Sequence, residues 1–388
     1  MNGPANSTVA AAGPRHIPAL DGLRALAILL VIPHNTFMFG AIYGWLIPFA
    51  WLANAGWVGV QLFFVLSGFL ITRNLLDSRG SDNYYSAFFG RRILRIFPLY
   101  FLVLIFFLLL LPLLVHLSPN ILGSYSNQLW LWLFLSNWVA PYGHEVYWFP
   151  HFWSLAVEEQ FYFIWPAVIA LTPTRRMVAV CTALMAAALV IRIVLLKTAT
   201  QPEAIYMFTV CRMDALGCGA LVAILAGMSG LMDFVRRHAT ALLVAALVLL
   251  AAGVPLTDSY SDLNPGSLSE GQSILALGMG MVVLVMAAGS RNRIPAAVDT
   301  VLRLAPLRSV GKVSYAMYIF HLPIATGIIA PYVLPGLKRL GPGFAVWYGL
   351  VNILCSYLLA LVSWHLLEKH FLRAKRFFIP EHSKSHGT

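Results

Sequence analysis

Residues 240–256 read TALLVAALVLLAAGVPL, without one charged or amide side chain. A run of this length and composition crosses a bilayer as a helix, because a backbone in lipid must satisfy its own N–H and C=O groups. Comparable runs lie at 18–41, 55–74, 96–115, 153–172, 177–196, 205–228, 271–289, 313–334 and 344–367. The fold class expected is all-α, a polytopic membrane bundle of about ten helices. Composition agrees: 60% of the 388 residues are hydrophobic and 11% charged, where soluble domains carry about a quarter charged residues.

Residues 128–140 are also apolar and rich in Trp, but too few to cross comfortably. They read as a re-entrant or interfacial segment. Basic residues test that reading. With 128–140 not crossing and the N-terminus cytoplasmic, 21 of the 26 Lys and Arg residues fall in inside segments and five outside or in the outer half. If 128–140 crossed, the basic stretches 290–312 and 368–388 would face out, against the positive-inside rule. Both termini of this multi-pass membrane protein are therefore expected in the cytoplasm. The same rule accounts for the net charge of +11 without a nucleic-acid partner.

The domain plan expected is a disordered polar tail at 1–16, a membrane domain at 17–368 and a basic cytoplasmic tail at 369–388. The tail has no apolar signal core, so the first run reads as a retained span. Cys181, Cys211, Cys218 and Cys355 have no metal or redox spacing and read as packing residues. No metal site is expected.

Ionisable side chains inside spans are costly and mark candidate function. Arg24 and His34 share the first span, Glu158 and Glu159 the fourth, and Arg192 lies in the fifth. Arg212 and Asp214 are in the sixth and His321 in the ninth. Arg192 reads first as helix-to-helix glue, and Arg212 and Asp214 are near enough to satisfy each other. Imidazoles suit proton transfer near neutral pH. His34 stands about 15 Å above Arg24 by helix rise, so Arg24 falls near the cytoplasmic face and His34 in the outer half. Glu158, about five residues into a span entered from outside, is expected at the depth of His34. Glu158 and Glu159 point about 100° apart, and Glu158 shares a face with Trp153 and Ser154.

On the cytoplasmic side, Arg92 and Arg95 of RRILR share a helix face. They suit a phosphate clamp or, equally, a topology signal with anionic-lipid contacts. Ser67 and Gly68 lie near the inner end of the second span, where Gly admits either a ligand or a neighbouring helix.

Six blocks in order resemble acyltransferase family 3, the bacterial membrane O-acyltransferases of the O-antigen, exopolysaccharide and macrolide acylase type. They are LDGLRALAILLVIPH (20–34), GWVGVQLFFVLSGFLIT (56–72), RRILRIFPLYF (91–101), FWSLAVEEQFYFIWP (152–166), RMDALGCGALVA (212–223) and GKVSYAMYIFHLP (311–323). The resemblance implies acetyl-CoA or another acyl-CoA as co-substrate, taken from the cytoplasm, with no permanently bound cofactor. It implies transfer to a hydroxyl of a carbohydrate, lipid-linked glycan or macrolide. It singles out Arg24 and His34, then Arg92 and Arg95, Ser154 and Glu158, Arg212 and Asp214, and Tyr315, Tyr318 and His321. The family pattern places ten residues between the Arg and His of the first block; here nine intervene, Ala25 to Pro33. One residue fewer turns His34 by about 100° relative to Arg24 on an ideal helix, and Pro33 can distort that turn. Some members add an extracytoplasmic esterase-like domain. This chain runs about 20 residues past its last span, so transfer is expected to finish in the membrane domain or on a separate partner.

The mechanism expected places CoA phosphates against Arg92, Arg95 and Arg24, with Ser67, Gly68 and Tyr315 beside them. His34 is then the general base, oriented by Glu158, or becomes acylated itself. His321 competes for that role; His34→Ala is expected to cost more. Ser154, Arg212, Asp214, Tyr318 and His321 are candidate acceptor or supporting residues. Trp130, Trp132, Trp138, Tyr142, Tyr147, Trp148 and Trp153 suit sugar stacking or an interfacial belt equally well. The rival readings are a proton-coupled transporter or flippase for an envelope precursor, and a structural subunit of an envelope complex.

Overall fold

The computed structural model describes residues 16–36, 47–256, 263–341 and 343–381. The expected polar tail lies almost wholly outside these residues, as do 37–41 of the first run and 382–388. Among the described residues there are helices, turns and no strand. The protein is a polytopic helical bundle.

Ten long helices carry it: α1 (Pro18–Thr36), α2 (Ala55–Asp77), α3 (Tyr84–Leu114), α4 (Trp153–Leu171), α5 (Thr174–Lys197), α6 (Thr209–Ala226), α7 (Ala239–Leu256), α8 (Ser267–Ala288), α9 (Ser314–Leu337) and α10 (Phe344–Phe377). Seven of them are long and apolar enough to cross a membrane, or eight with α7 and the short helix before it, bent at 77°. The other two, α1 and α4, are 19 residues each and carry the half-buried Arg24, Glu158 and Glu159. Nine of the ten apolar runs sit, as far as they are described, on one helix, whereas 205–228 is broken at the extended Phe208, which leaves its first residues on the short helix Pro202–Met207. The largest departure is α3, which begins at Tyr84 rather than near 96. Its first three turns are amphipathic and present Arg91, Arg92 and Arg95, so hydropathy alone does not mark them.

Residues 128–140 form short pieces, Gln128–Trp132 and Ser136–Val139. Neither approaches the length of a span. Phe134, between them, takes the left-handed φ of 53°, held by Gln160, whose amide donates to its carbonyl at 2.8 Å. Phe134 stacks on Tyr100, which stacks on Phe152. Trp132 stacks on Phe101, and Trp138 on Phe208. Much of the Trp-rich stretch is therefore spent on internal packing.

Polarity is inverted relative to a soluble protein. Leu113, Phe163, Leu171 and Tyr332 are more than three-quarters exposed, whereas Arg192, Arg212 and Asp214 are fully buried. Close helix contacts bring the charges inward. A Cβ on Gly68 would stand 2.0 Å from the Leu216 carbonyl oxygen, and one on Gly219 would stand 2.0 Å from that of Val65. Only glycine on both helices lets α2 and α6 touch backbone to backbone. Gly56 does the same for α1: a Cβ there would meet the Leu30 carbonyl oxygen at 2.1 Å and the His34 Cβ at 2.8 Å.

Candidate active site

A cleft holding about 800 Å³ of empty space, part of it open to solvent, runs into the bundle between α1, α2, α3, α4 and α9. Arg24, Arg92 and Arg95 line it, with Ser67, Glu158, Glu159, Tyr162 and Tyr315. Ser154 and Tyr318 line it as well. Tyr162 organises one wall. Its hydroxyl donates to Glu158 Oε2 at 2.8 Å and shares a short hydrogen bond with Ser67. The Arg92 guanidinium lies over its ring, 4.7 Å from the centroid. Tyr315 donates to the Ile96 carbonyl at 2.9 Å, fixing α9 against α3 beside Arg95.

Among the described residues, Arg24, Arg92 and Arg95 make no hydrogen bond or ion pair with the protein. Arg92 and Glu158 nonetheless act electrostatically on Arg24. Three guanidinium groups with idle donors, lining one cleft, form a ready anion site.

The far end of the cleft is a hydrogen-bonded cluster. Tyr318 OH donates to the His151 carbonyl at 2.8 Å, and Ser154 OH donates to the Tyr318 oxygen. His321 Nδ1 donates to the Tyr318 carbonyl at 2.6 Å. A carbonyl only accepts, so Nδ1 carries the proton and Nε2 of the neutral ring is basic. Asn35 Nδ2 donates to that Nε2 at 2.9 Å. His151 stacks edge-on to His321, with 4.6 Å between centroids, and both of its ring nitrogens are buried without a hydrogen-bond partner.

Several expectations need correction. His34 and Glu158 do not meet. His34 Nδ1 donates to the Asn54 carbonyl at 3.0 Å, whereas Glu158 sits with Tyr162 and within electrostatic reach of Arg24 and Arg92. The reason is depth: α4 begins inside the bundle, where Phe152 is fully buried. His151 therefore lies at the level of Asn35 and His321, and Glu158 about 10 Å further in by helix rise. Glu159 also lines the cleft, so both carboxylates face it. Gly68 does not bind a ligand, because Leu216 takes its open face. Nor does Asp214 pair with Arg212. It binds Arg192 at 2.8 Å, and Ser273 donates to the same oxygen.

Arg212 is held instead over aromatic faces, 4.2 Å from the Tyr206 centroid and 5.3 Å from that of Trp153, with Gln61 accepting from Nη1 at 3.3 Å. Its Nε and Nη2 are buried without partners. The pairing of Arg192 as helix glue is as expected. His151 and Asn35 were missed: His151 precedes its apolar run, and an Asn beside a His draws no notice.

A family model described as an acyltransferase domain matches residues 17–361. The chain belongs to this acyltransferase family. The chain is 29% identical over 382 residues to YrhL of Bacillus subtilis, named as a putative peptidoglycan O-acetyltransferase, covering 92% of this chain and 55% of the relative. It is 27% identical over 372 residues to the peptidoglycan O-acetyltransferase OatA of Listeria monocytogenes, covering 91% and 55%. It is 26% identical over 387 residues to the O-acetyltransferase OatA of Staphylococcus aureus, covering 95% and 60%. The acyltransferase thus spans somewhat more than half the length of these curated relatives. No solved structure matches it. Groups of His, Cys, Asp and Glu that could hold a metal ion are not found among the described residues.

Proposed function

We propose that the acyltransferase moves an acetyl group from cytoplasmic acetyl-CoA to a hydroxyl of a cell-envelope glycan, of the peptidoglycan type named for its relatives. In this reading it crosses a bacterial cytoplasmic membrane ten times with both termini inside. The observation that carries it is the cleft. At one end are three guanidinium groups with idle donors; at the other Ser154 and Tyr318 line it, with the His321 imidazole buried behind them and tied to the Tyr318 carbonyl and Asn35.

The three arginines take the phosphates of the donor, and the pantetheine arm lies along the cleft towards Ser154 and Tyr318. On α1, which stays helical through Pro33, Asn35 lies eleven residues after Arg24, within about 20° of the same face. His34 is turned about 80° away. His321 is therefore the imidazole presented above Arg24, and Asn35 is its positioning residue. The acceptor hydroxyl displaces the Asn35 amide and gives its proton to His321 Nε2. Its oxygen attacks the thioester carbonyl, the C–S bond breaks, and the CoA thiolate leaves with the proton from His321. General-base catalysis of this kind supplies about 10²–10⁴-fold.

The test is transfer or hydrolysis of labelled acetyl-CoA by purified protein in nanodiscs, wild type beside His321→Ala. Turnover in the wild type that disappears in the variant supports the reading. Equal turnover in both removes His321 from the chemistry.

A further inference from the structure

The segment that follows α10 lies on the start of α3, within two helical turns of the cleft arginines Arg92 and Arg95. Three contacts fix this segment to the start of α3. Asp82 N–H donates to the Glu381 carbonyl at 2.9 Å. Glu381 N–H donates to Asn83 Oδ1 at 2.9 Å, and Asn83 Nδ2 donates to the Ile379 carbonyl at 2.8 Å. Phe378 lies on Gly90, where a Cβ would stand 2.1 Å from its ring. A glycine is needed there for the segment to lie down at all.

This docking holds Lys375 beside the start of α3, within electrostatic reach of the cleft arginines. The charges acting on it are those of Arg95, Arg92, Arg91 and Arg24, all cations. Among the described residues the Lys375 ammonium makes no ion pair or hydrogen bond. Five cations gathered within reach of one another repel each other, and a fold holds them there at a cost that a polyanion reverses. Arg24, Arg92 and Arg95 line the cleft, and Lys375 is not among its lining residues.

We infer that Lys375, held beside the start of α3 by the clasp of residues 378–381 on Asn83 and Gly90, is a donor-binding residue that contacts the 3′-phosphate of acyl-CoA. This rests on the reading of the cleft as the acyl-CoA site. With the thioester directed inward, the diphosphate meets Arg92 and Arg95 and the outermost phosphate meets Lys375. The acidic neighbours on this side are Glu368, near Arg95 and bonded by Ser363, the cleft carboxylates Glu158 and Glu159, Asp21 beside Arg24, and Asp82 and Glu381 of the clasp itself.

Equilibrium binding of CoA and of 3′-dephospho-CoA to the full chain in zwitterionic nanodiscs tests this. Lys375→Gln is expected to weaken CoA about tenfold, or about 1.4 kcal/mol, and to leave 3′-dephospho-CoA unchanged. Lys375→Arg is expected to restore CoA binding. Asn83→Ala, which loosens the clasp without removing a charge, is expected to shift CoA in the same direction. Unchanged CoA affinity in Lys375→Gln overturns the inference, while loss in Arg92→Gln at the same time leaves the cleft reading standing. Equal weakening of both ligands moves Lys375 to the diphosphate and overturns the 3′-phosphate assignment. An effect that appears only in nanodiscs holding anionic lipid makes a lipid headgroup the occupant and overturns it too. Wild-type protein that binds neither ligand sinks both readings.

Discussion

Asn35 Nδ2 lies 2.9 Å from His321 Nε2 and joins the outer end of α1 to α9. The contact exists because α1 runs through Pro33 without losing its helical assignment. The nine-residue interval between Arg24 and His34 is therefore not compensated, and an amide stands where the Arg24 face meets the histidine cluster.

His321→Ala is expected to lower kcat at least about 100-fold, within the usual contribution of a general base. His34→Ala is expected to lower it less than about tenfold, because that ring is spent on the Asn54 carbonyl and on packing against Gly56. Asn35→Ala is expected to fall between them, with KM for acetyl-CoA unchanged. Acetyl transfer by the three variants in nanodiscs decides it, and a larger loss for His34→Ala than for His321→Ala returns the base role to His34.

The sequence-to-structure comparison separates what is local from what is not. Apolar runs announce helices because every residue in them reports the same solvent, so α7 and α8 are legible to within a few residues. The start of α3 is not, since Tyr84 to Arg95 alternates polar and apolar and reads as surface. Arg24, Arg92 and Arg95 were legible as a group because charges beside lipid are rare. Their company was not, because depth was counted from assumed membrane faces. The count put Glu158 beside His34, and a buried start of α4 moves it to Arg24. The Arg192–Asp214 pair joins α5 to α6, and no spacing rule links residues on different helices.

That pair yields a stability prediction. Arg192 and Asp214 are fully buried, 2.8 Å apart, with Ser273 bonded to both. Removing one partner strands a buried charge. Arg192→Leu is expected to destabilise the protein by about 3–5 kcal/mol, read as earlier thermal unfolding in detergent. Arg192→Leu with Asp214→Leu is expected to recover most of that loss, since the stranded carboxylate is gone. A double variant no more stable than the single one would point to the Cys211 and Ser269 carbonyls, which Arg192 also serves.

Topology is open to direct test. Cys181, Cys211 and Cys218 are buried and Cys355 partly so, so impermeant thiol reagents are expected to leave the native cysteines largely unmodified. A cysteine placed at Gly143 or Asn264 is expected to label from outside intact cells. One at Arg175 or Arg291 is expected to label only after permeabilisation. Labelling of Arg291→Cys in intact cells would mean that 128–140 crosses after all.

The arginines separate an acyl-CoA enzyme from a transporter. Arg92 and Arg95 make no hydrogen bond or ion pair among the described residues, so replacing them is expected to remove donor contacts and, apart from the Arg92 contact with the Tyr162 ring, little internal structure. A hydrogen bond to a charged group is worth about 1.5–3 kcal/mol. Arg92→Gln and Arg95→Gln are each expected to raise KM for acetyl-CoA by about tenfold or more, with kcat changed less. The wild-type KM is expected to rise with ionic strength as exposed charges are screened, and more steeply than that of the Arg92→Gln, Arg95→Gln double variant. A transporter predicts a different pattern: the substitutions would alter proton-coupled uptake into proteoliposomes and leave CoA binding absent throughout. Parallel salt slopes in wild type and double variant would place the donor phosphates elsewhere.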